Sequence, residues 1–247
     1  MTGREQGAIG TGMSDILNII VTGTSRGIGA AIAASLQGHR VVGHSTGGGE
    51  GQVAADFGDP AQVTAFWGEA VERLGGRVDV LVNNAGIFEA TPIDQDEEAW
   101  LAGWERTMQV NLTASAALCR LAVLHFREAG GGRIVNVASR AAYRGDSPQH
   151  WHYAASKAGM IGITKTIARA YAGENILAFG VCPGFTMTGM AEEYLASRGG
   201  EKLLADIPLG RVAGAEEVAE TVRWLAVDAP ASATGAVIDV NGASYVR

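Results

Sequence analysis

Tyr153 and Lys157 stand four residues apart in "HYAASKAGM" (152–160), with only Ala154, Ala155 and Ser156 between them. On a helix that spacing puts the phenol and the ammonium on one face. The small residues leave that face open. A free phenol has a pKa of about 10, and bringing it to about 7 takes roughly 4 kcal/mol of preference for phenolate. A unit positive charge at about 4 Å supplies a similar magnitude at an effective dielectric near 20. Lys157 can therefore make Tyr153 an acid–base group near neutral pH. The plain alternative is a helix start in which Tyr153 packs and Lys157 is solvated, so the rest of the chain must decide.

A second stretch offers different chemistry. "VTGTSRGIGAAIA" carries Gly23, Gly27 and Gly29 between a strand-like run and a helix-like run. Glycines there allow a tight turn and close approach of a pyrophosphate, and the helix N-terminus offers free N–H groups. An acid at the end of the second strand would bind a ribose 2′-hydroxyl and repel a 2′-phosphate. Here that position holds His44, Ser45 and Thr46, and no acid appears until Glu50. Arg26, inside the glycine turn, can meet a 2′-phosphate. The reading favours NADP, with NAD as the alternative.

The elements that must position these groups are legible as alternating runs. Strands are expected at 16–22, 40–44, 52–56, 78–84, 133–139, 176–182 and 236–242, and helices at 28–37, 60–74, 96–128, 152–173 and 215–227. Strands alternating with helices imply parallel βαβ units. The fold class expected is α/β: a single-domain Rossmann-type doubly wound parallel sheet with helices on both faces. Residues 1–14 read as a loose polar arm and 15–247 as the domain. One connection is anomalous, because only "STGGGEGQ" joins the strands at 40–44 and 52–56, where a parallel crossover usually takes a helix.

Composition narrows the function. The 247 residues are 47% hydrophobic and 18% charged, enough for a sizeable core. A net charge of −7 argues against a general nucleic-acid or anionic-membrane binder. Cys119 and Cys182 form no CxxC pair, which suits a reducing cytosol. No apolar run is long enough to span a bilayer, and the N-terminus has no signal-peptide core. His150, His152 and Asp146 make a weak metal set, and none is expected.

Taken in order, "TGTSRGIG", "NNAG" (83–86), Asn111, Ser139, "YAASK" (153–157) and "PG" (183–184) resemble the short-chain dehydrogenase/reductase family over residues 16–242. "YAASKAGMIGITKTIARAYA" and "IPLGRVAGAEEVAETVRWLA" look like its 3-oxoacyl-(acyl-carrier-protein) reductase branch. The resemblance implies Ser139, Tyr153 and Lys157 as a catalytic trio supported by Asn111. It implies a cofactor cradle of Gly23, Ser25, Arg26, Gly27, Ile28, Gly29, Ser45, Asp56, Phe57, Asn83, Ala85 and Gly86. Pro183, Gly184, Thr186 and Thr188 would lie at the nicotinamide end, together with Tyr153 and Lys157. The reaction implied is carbonyl reduction by hydride transfer, with Tyr153 as general acid and Ser139 holding the substrate oxygen. A sugar, polyol or steroid dehydrogenase and a noncatalytic dinucleotide sensor are the alternatives. The family also implies a homotetramer or homodimer and a small-molecule carbonyl or alcohol as substrate. Residues 186–206 read as a mobile substrate lid, and "RAAYRGDSPQHWH" (140–152) as the substrate mouth.

Overall fold

The computed structural model describes residues 16–187 and 204–247. The expected arm and Thr188, with most of the expected lid, lie outside the described residues.

The four residues of β1 (Asn18–Val21) are all buried, as a strand covered on both faces requires. Alternation assigns its side chains. Ile19 and Val21 face a core completed by Ile32 of α1 (Gly27–Ser35), by Leu36 just after it, and by Val218 and Val222 of α7 (Ala215–Arg223). Ile20 faces the opposite core, with Val63 and Phe66 of α2 (Pro60–Arg73) and Leu118 and Phe126 of α4 (Ala114–Ala129). Pro60 at the start of α2 follows Asp59, whose side chain accepts from Ala61 N. The long α6 (Trp151–Tyr171) lies on this second side and contributes Ile167 and Ala168.

The remaining strands are β2 (Arg40–Ser45), β3 (Gln52–Ala54), β4 (Val80–Asn83), β5 (Gly132–Val137) and β6 (Ile176–Pro183), followed by β7 (Thr186–Met187), β8 (Ala213–Gly214) and β9 (Val237–Val240). Six of these and β1 form one parallel sheet in the order β3-β2-β1-β4-β5-β6-β9, while β7 and β8 pair separately. This is the doubly wound sheet expected. The order reverses between β1 and β4, so the carboxyl ends of those two strands open a crevice suited to a ligand.

The anomalous connection has a geometric answer. Gly43 pairs with Gln52, only two residues below the end of β2, so the chain must descend about 7 Å rather than a strand length. Residues 46–51 manage this with Gly48, Gly49 and Gly51 at φ of 72°, 152° and 68°. A short β3 at the sheet edge removes the need for a crossover helix.

The helix expected over 96–128 is instead three consecutive pieces. α3 (Glu97–Met108) begins on Asp96, whose side chain accepts from Ala99 N, and a π-turn (Gln109–Thr113) separates it from α4. A four-residue α5 (Ala141–Arg144), absent from the sequence reading, sits between β5 and α6.

Candidate active site

The glycine turn is built by side chains that lie outside it. Thr22 Oγ1 accepts from the N–H groups of both Asn84 and Ala85, each at 2.9 Å. Asn84 Nδ2 donates to Thr22 O at 3.0 Å and Gly23 O at 3.1 Å. These bonds join the ends of β1 and β4 across the crevice. Gly23 has φ 72°, and a Cβ there would lie 2.8 Å from Ala85 Cα. At Gly29 a Cβ would sit 1.9 Å from Gly23 O, so this glycine lets the helix close on its own turn. No side chain caps the first turn of α1, and Ser25 and Arg26 are exposed. An uncapped helix start beside a crevice fits the pyrophosphate of a dinucleotide.

His44 underpins the same turn. Its Nδ1 accepts from Gly23 N at 3.1 Å, so its Nε2–H donates to Ala55 O at 2.9 Å. The ring stacks on Phe57 at 3.8 Å, and both are buried. Burial lowers its pKa, and the neutral tautomer is the one these bonds need. His44 therefore faces the core, and of the trio His44, Ser45 and Thr46 only Thr46 is exposed. Ser45 Oγ donates to Gly48 O at 3.1 Å and stabilises the short loop. Asp56 is exposed, with Oδ1 accepting from Gly58 N at 2.8 Å.

Asn83 differs from its expected placement beside the cofactor. Its side chain is 1% exposed and turns into the core, where Nδ2 donates to Asn136 Oδ1 at 2.9 Å. Asn136 Nδ2 in turn donates to Thr164 Oγ1 at 2.8 Å. This buried polar chain ties β4 to β5 and α6. The neighbouring Asn84 reaches the glycine turn instead. Strand alternation is the reason: adjacent residues point to opposite sides.

Tyr153, Lys157, Ser139 and Asn111 gather where β4 and β5 end. The Tyr153 phenol hydrogen-bonds the Ser139 hydroxyl, and Ser139 Oγ also accepts from Ala141 N at 3.1 Å. Lys157 Nζ is buried, donates to Val137 O at 3.0 Å, and lies 5.7 Å from the centroid of the Tyr153 ring. Asn111 sits in the π-turn. Its Oδ1 accepts from Ile87 N at 2.8 Å, and its Nδ2 donates to Ile87 O at 2.9 Å. A Cβ on Gly86 would fall 3.2 Å from Asn111 Oδ1 and 3.4 Å from Lys157 Nζ, so Gly86 keeps the passage between them open.

The electrostatics overturn one expectation. Burial pushes the Tyr153 phenol up to about 12, against the lowering from Ser139, and Asp146 and Cys182 add to the rise. Burial also pulls the Lys157 ammonium down to about 8, with Cys182 opposing it. The sequence argument counted the charge of Lys157 near the phenol and left burial out. Here the cation is buried under the ring and bonded to the Val137 carbonyl, and burial is the largest cause acting on both groups. At neutral pH the phenol proton stays on Oη.

The mouth beside Tyr153 contains groups that the motifs did not single out. Phe88 stacks on His150 at 3.8 Å and meets Tyr153 edge-on at 4.8 Å, while remaining 53% exposed. Thr91 Oγ1 and His152 Nε2 are 2.7 Å apart, and His152 Nδ1 accepts from Tyr153 N at 2.7 Å. An aromatic just after "NNAGI" was the available signal. Tyr143, placed at the mouth by sequence, stacks on Tyr245 and accepts from Arg247 Nη1 at 2.9 Å, so the C-terminus engages it. Trp151 lines a separate depression with Ile93 and Trp100. Among the described residues no cluster of three or more His, Cys, Asp or Glu could hold a metal.

At the far end Pro183 closes β6, and Gly184 packs so tightly on Asn241 that a Cβ would lie 2.8 Å from its Cα. Thr186 Oγ1 donates to Gly184 O at 3.2 Å.

A family model described as enoyl-(acyl carrier protein) reductase matches residues 23–243. The 3-oxoacyl-[acyl-carrier-protein] reductase of Escherichia coli K12 is 35% identical over 243 residues, covering 92% of this chain and 96% of that protein. The D-threitol dehydrogenase of Mycolicibacterium smegmatis is 33% identical over 245 residues, covering 92% of each. The 3-oxoacyl-[acyl-carrier-protein] reductase of Thermotoga maritima is 42% identical over 175 residues, 70% of this chain and 69% of that protein. The substrates in these names differ.

Proposed function

The chain belongs to the short-chain dehydrogenase/reductase family, and from that premise we propose that it reduces a carbonyl compound to an alcohol with a nicotinamide dinucleotide, NADP by preference. The observation that carries this reading is the Ser139–Tyr153 hydrogen bond beside buried Lys157, facing the crevice that the glycine turn opens. In this reading residues 15–247 act as one catalytic domain.

The dinucleotide supplies the hydride when bound. Gly23 and the uncapped start of α1 would receive its pyrophosphate, and the exposed Arg26 would meet a 2′-phosphate. Ser139 Oγ holds the substrate oxygen against Tyr153 Oη. Tyr153, protonated because burial holds its phenol at about 12, delivers its proton to that oxygen. The buried Lys157 ammonium stabilises the phenolate left behind, and Asn111 keeps the Gly86 passage in shape. A 3-oxoacyl thioester is one candidate substrate, after the relatives' names. The threitol dehydrogenase relative supports the opposite direction, alcohol oxidation, as the second reading.

Exposed Leu101, Leu124 and Trp151 on α3, α4 and α6 support assembly through those helices. The test of function is reduced-dinucleotide oxidation with a panel of ketones and 3-oxoacyl thioesters. Tyr153→Phe should lower turnover at least about a hundredfold while dinucleotide affinity, titrated with NADP and NAD, stays within a few-fold. Unchanged turnover rejects Tyr153 as the acid. Binding without turnover on any carbonyl or alcohol rejects the enzyme reading.

A further inference from the structure

Gly23 and Thr24, just ahead of the uncapped start of α1, are both bonded to one residue of β2. Gly23 N donates to His44 Nδ1 at 3.1 Å, Thr24 N donates to His44 O at 2.8 Å, and Thr24 Oγ1 donates to the same carbonyl at 3.2 Å. On its other side, His44 Nε2 is 2.9 Å from Ala55 O. A backbone N–H can only donate and a carbonyl can only accept. The two side-chain contacts therefore admit one form of the ring: neutral, with the proton on Nε2 and the lone pair on Nδ1. The ring is buried, stacked on Phe57 at 3.8 Å and edge-on to Phe66 of α2 at 5.0 Å. Asp56 is the charged group that acts on it; the other groups packed around it are the Gly23–Thr24 backbone, Ala55 and those two phenyl rings. The first N–H groups of α1 have no partner within the helix, and the turn before them sets where they point.

We propose that His44 is a positioning residue for the dinucleotide: its Nδ1 lone pair holds the Gly23 N–H, and with it the glycine turn, in the form that receives the pyrophosphate. The proposal rests on the dinucleotide-binding reading and deepens it. Gly23 sits at φ 72°, and a glycine there is free to take other conformations once its bond is lost. A turn without its acceptor populates those other forms. The ligand must then restore the binding form, and its apparent affinity falls by the fraction lost. A proton on Nδ1 has the same effect, because it sets two donors against each other. Simple charge attraction predicts the reverse, since an imidazolium near a pyrophosphate would tighten binding.

The probe is ADP-ribose, titrated by calorimetry. It carries the pyrophosphate but no nicotinamide to reach the mouth histidines, and no phosphate monoester, whose own titration at about pH 6 would intrude. Two variants separate the two ring nitrogens. Asn Oδ1 lies as many bonds from Cα as His Nδ1, so His44→Asn keeps the acceptor for Gly23 and loses the donor to Ala55. Gln Nε2 lies as many bonds from Cα as His Nε2, so His44→Gln keeps the donor and loses the acceptor. Each variant gives up one hydrogen bond, and their melting temperatures should fall alike. Near neutral pH, affinity should drop at least about tenfold in His44→Gln and stay within about threefold in His44→Asn. Equal losses in the two variants, or no loss in His44→Gln, overturn the proposal. If the variants do not fold, the wild type decides: its affinity should fall across the pH at which NMR shows the His44 ring taking up its proton. Affinity that holds or rises there overturns the proposal. A wild type that binds neither ADP-ribose nor NAD nor NADP near neutral pH rejects the dinucleotide reading beneath it.

Discussion

Lys157 illustrates how one side chain can serve chemistry at the expense of the fold. The residue is 4% exposed, its ammonium is held by Val137 O at 3.0 Å and Met160 Sδ at 3.7 Å, and burial lowers its pKa to about 8. The unfolded chain keeps that proton to about pH 10.4. Between these values the unfolded state binds more protons, so stability from this group rises with pH and the burial cost is full below pH 8. Lys157→Met should therefore leave the melting temperature at neutral pH equal to or above wild type, while carbonyl reduction is abolished. A clear drop in melting temperature would show that the ammonium's bonds outweigh its desolvation. In the wild type, carbonyl reduction should fall as pH rises through about 8, when Lys157 loses the charge that stabilises the phenolate; a pH–rate profile checks it.

At the scale of elements, the crevice depends on how β1 is bonded to the segment after β4. Thr22 Oγ1 accepts two backbone N–H groups, those of Asn84 and Ala85, and Asn84 returns two bonds to the Thr22 and Gly23 carbonyls. Thr22→Val keeps the shape but leaves both N–H groups short of a partner. The expected loss is about 1–3 kcal/mol in chemical denaturation, with weaker dinucleotide binding. An unaltered midpoint and affinity would mean that sheet pairing alone holds the turn. The π-turn at Gln109–Thr113 works similarly, since it re-aims Asn111 toward Ile87 at the junction of α3 and α4.

Across the whole molecule, three imidazoles are kept neutral by burial: His44 under the glycine turn, and His150 and His152 at the mouth. Each has a pKa lowered from 6.5, so below that pH the unfolded chain takes up more protons than the folded one. Stability from these groups is complete above about pH 6.5 and is lost as pH falls below it. The melting temperature should decline on acidification through pH 6. In His44→Gln the decline should be shallower, because the buried His44 joins Gly23, after β1, to Ala55, after β3. An identical slope in the variant would assign the acid sensitivity to other groups.

Strand and helix order, the crevice and the Tyr153–Lys157 pair were legible in sequence, because they follow from local periodicity and from residue types at fixed spacing. Strand runs such as 19–21 announce themselves by continuous apolar character, and the glycine turn by its position between strand and helix. Other features depend on partners distant in the chain. Which of Asn83 and Asn84 faces the crevice depends on strand alternation and on Thr22, 62 residues from Asn84. The inward turn of His44 depends on Phe57 and Ala55. Spacing alone suggested a phenol made more acidic by its neighbouring lysine; burial of both groups reverses that, because desolvation depends on the whole environment rather than on the interval between two residues.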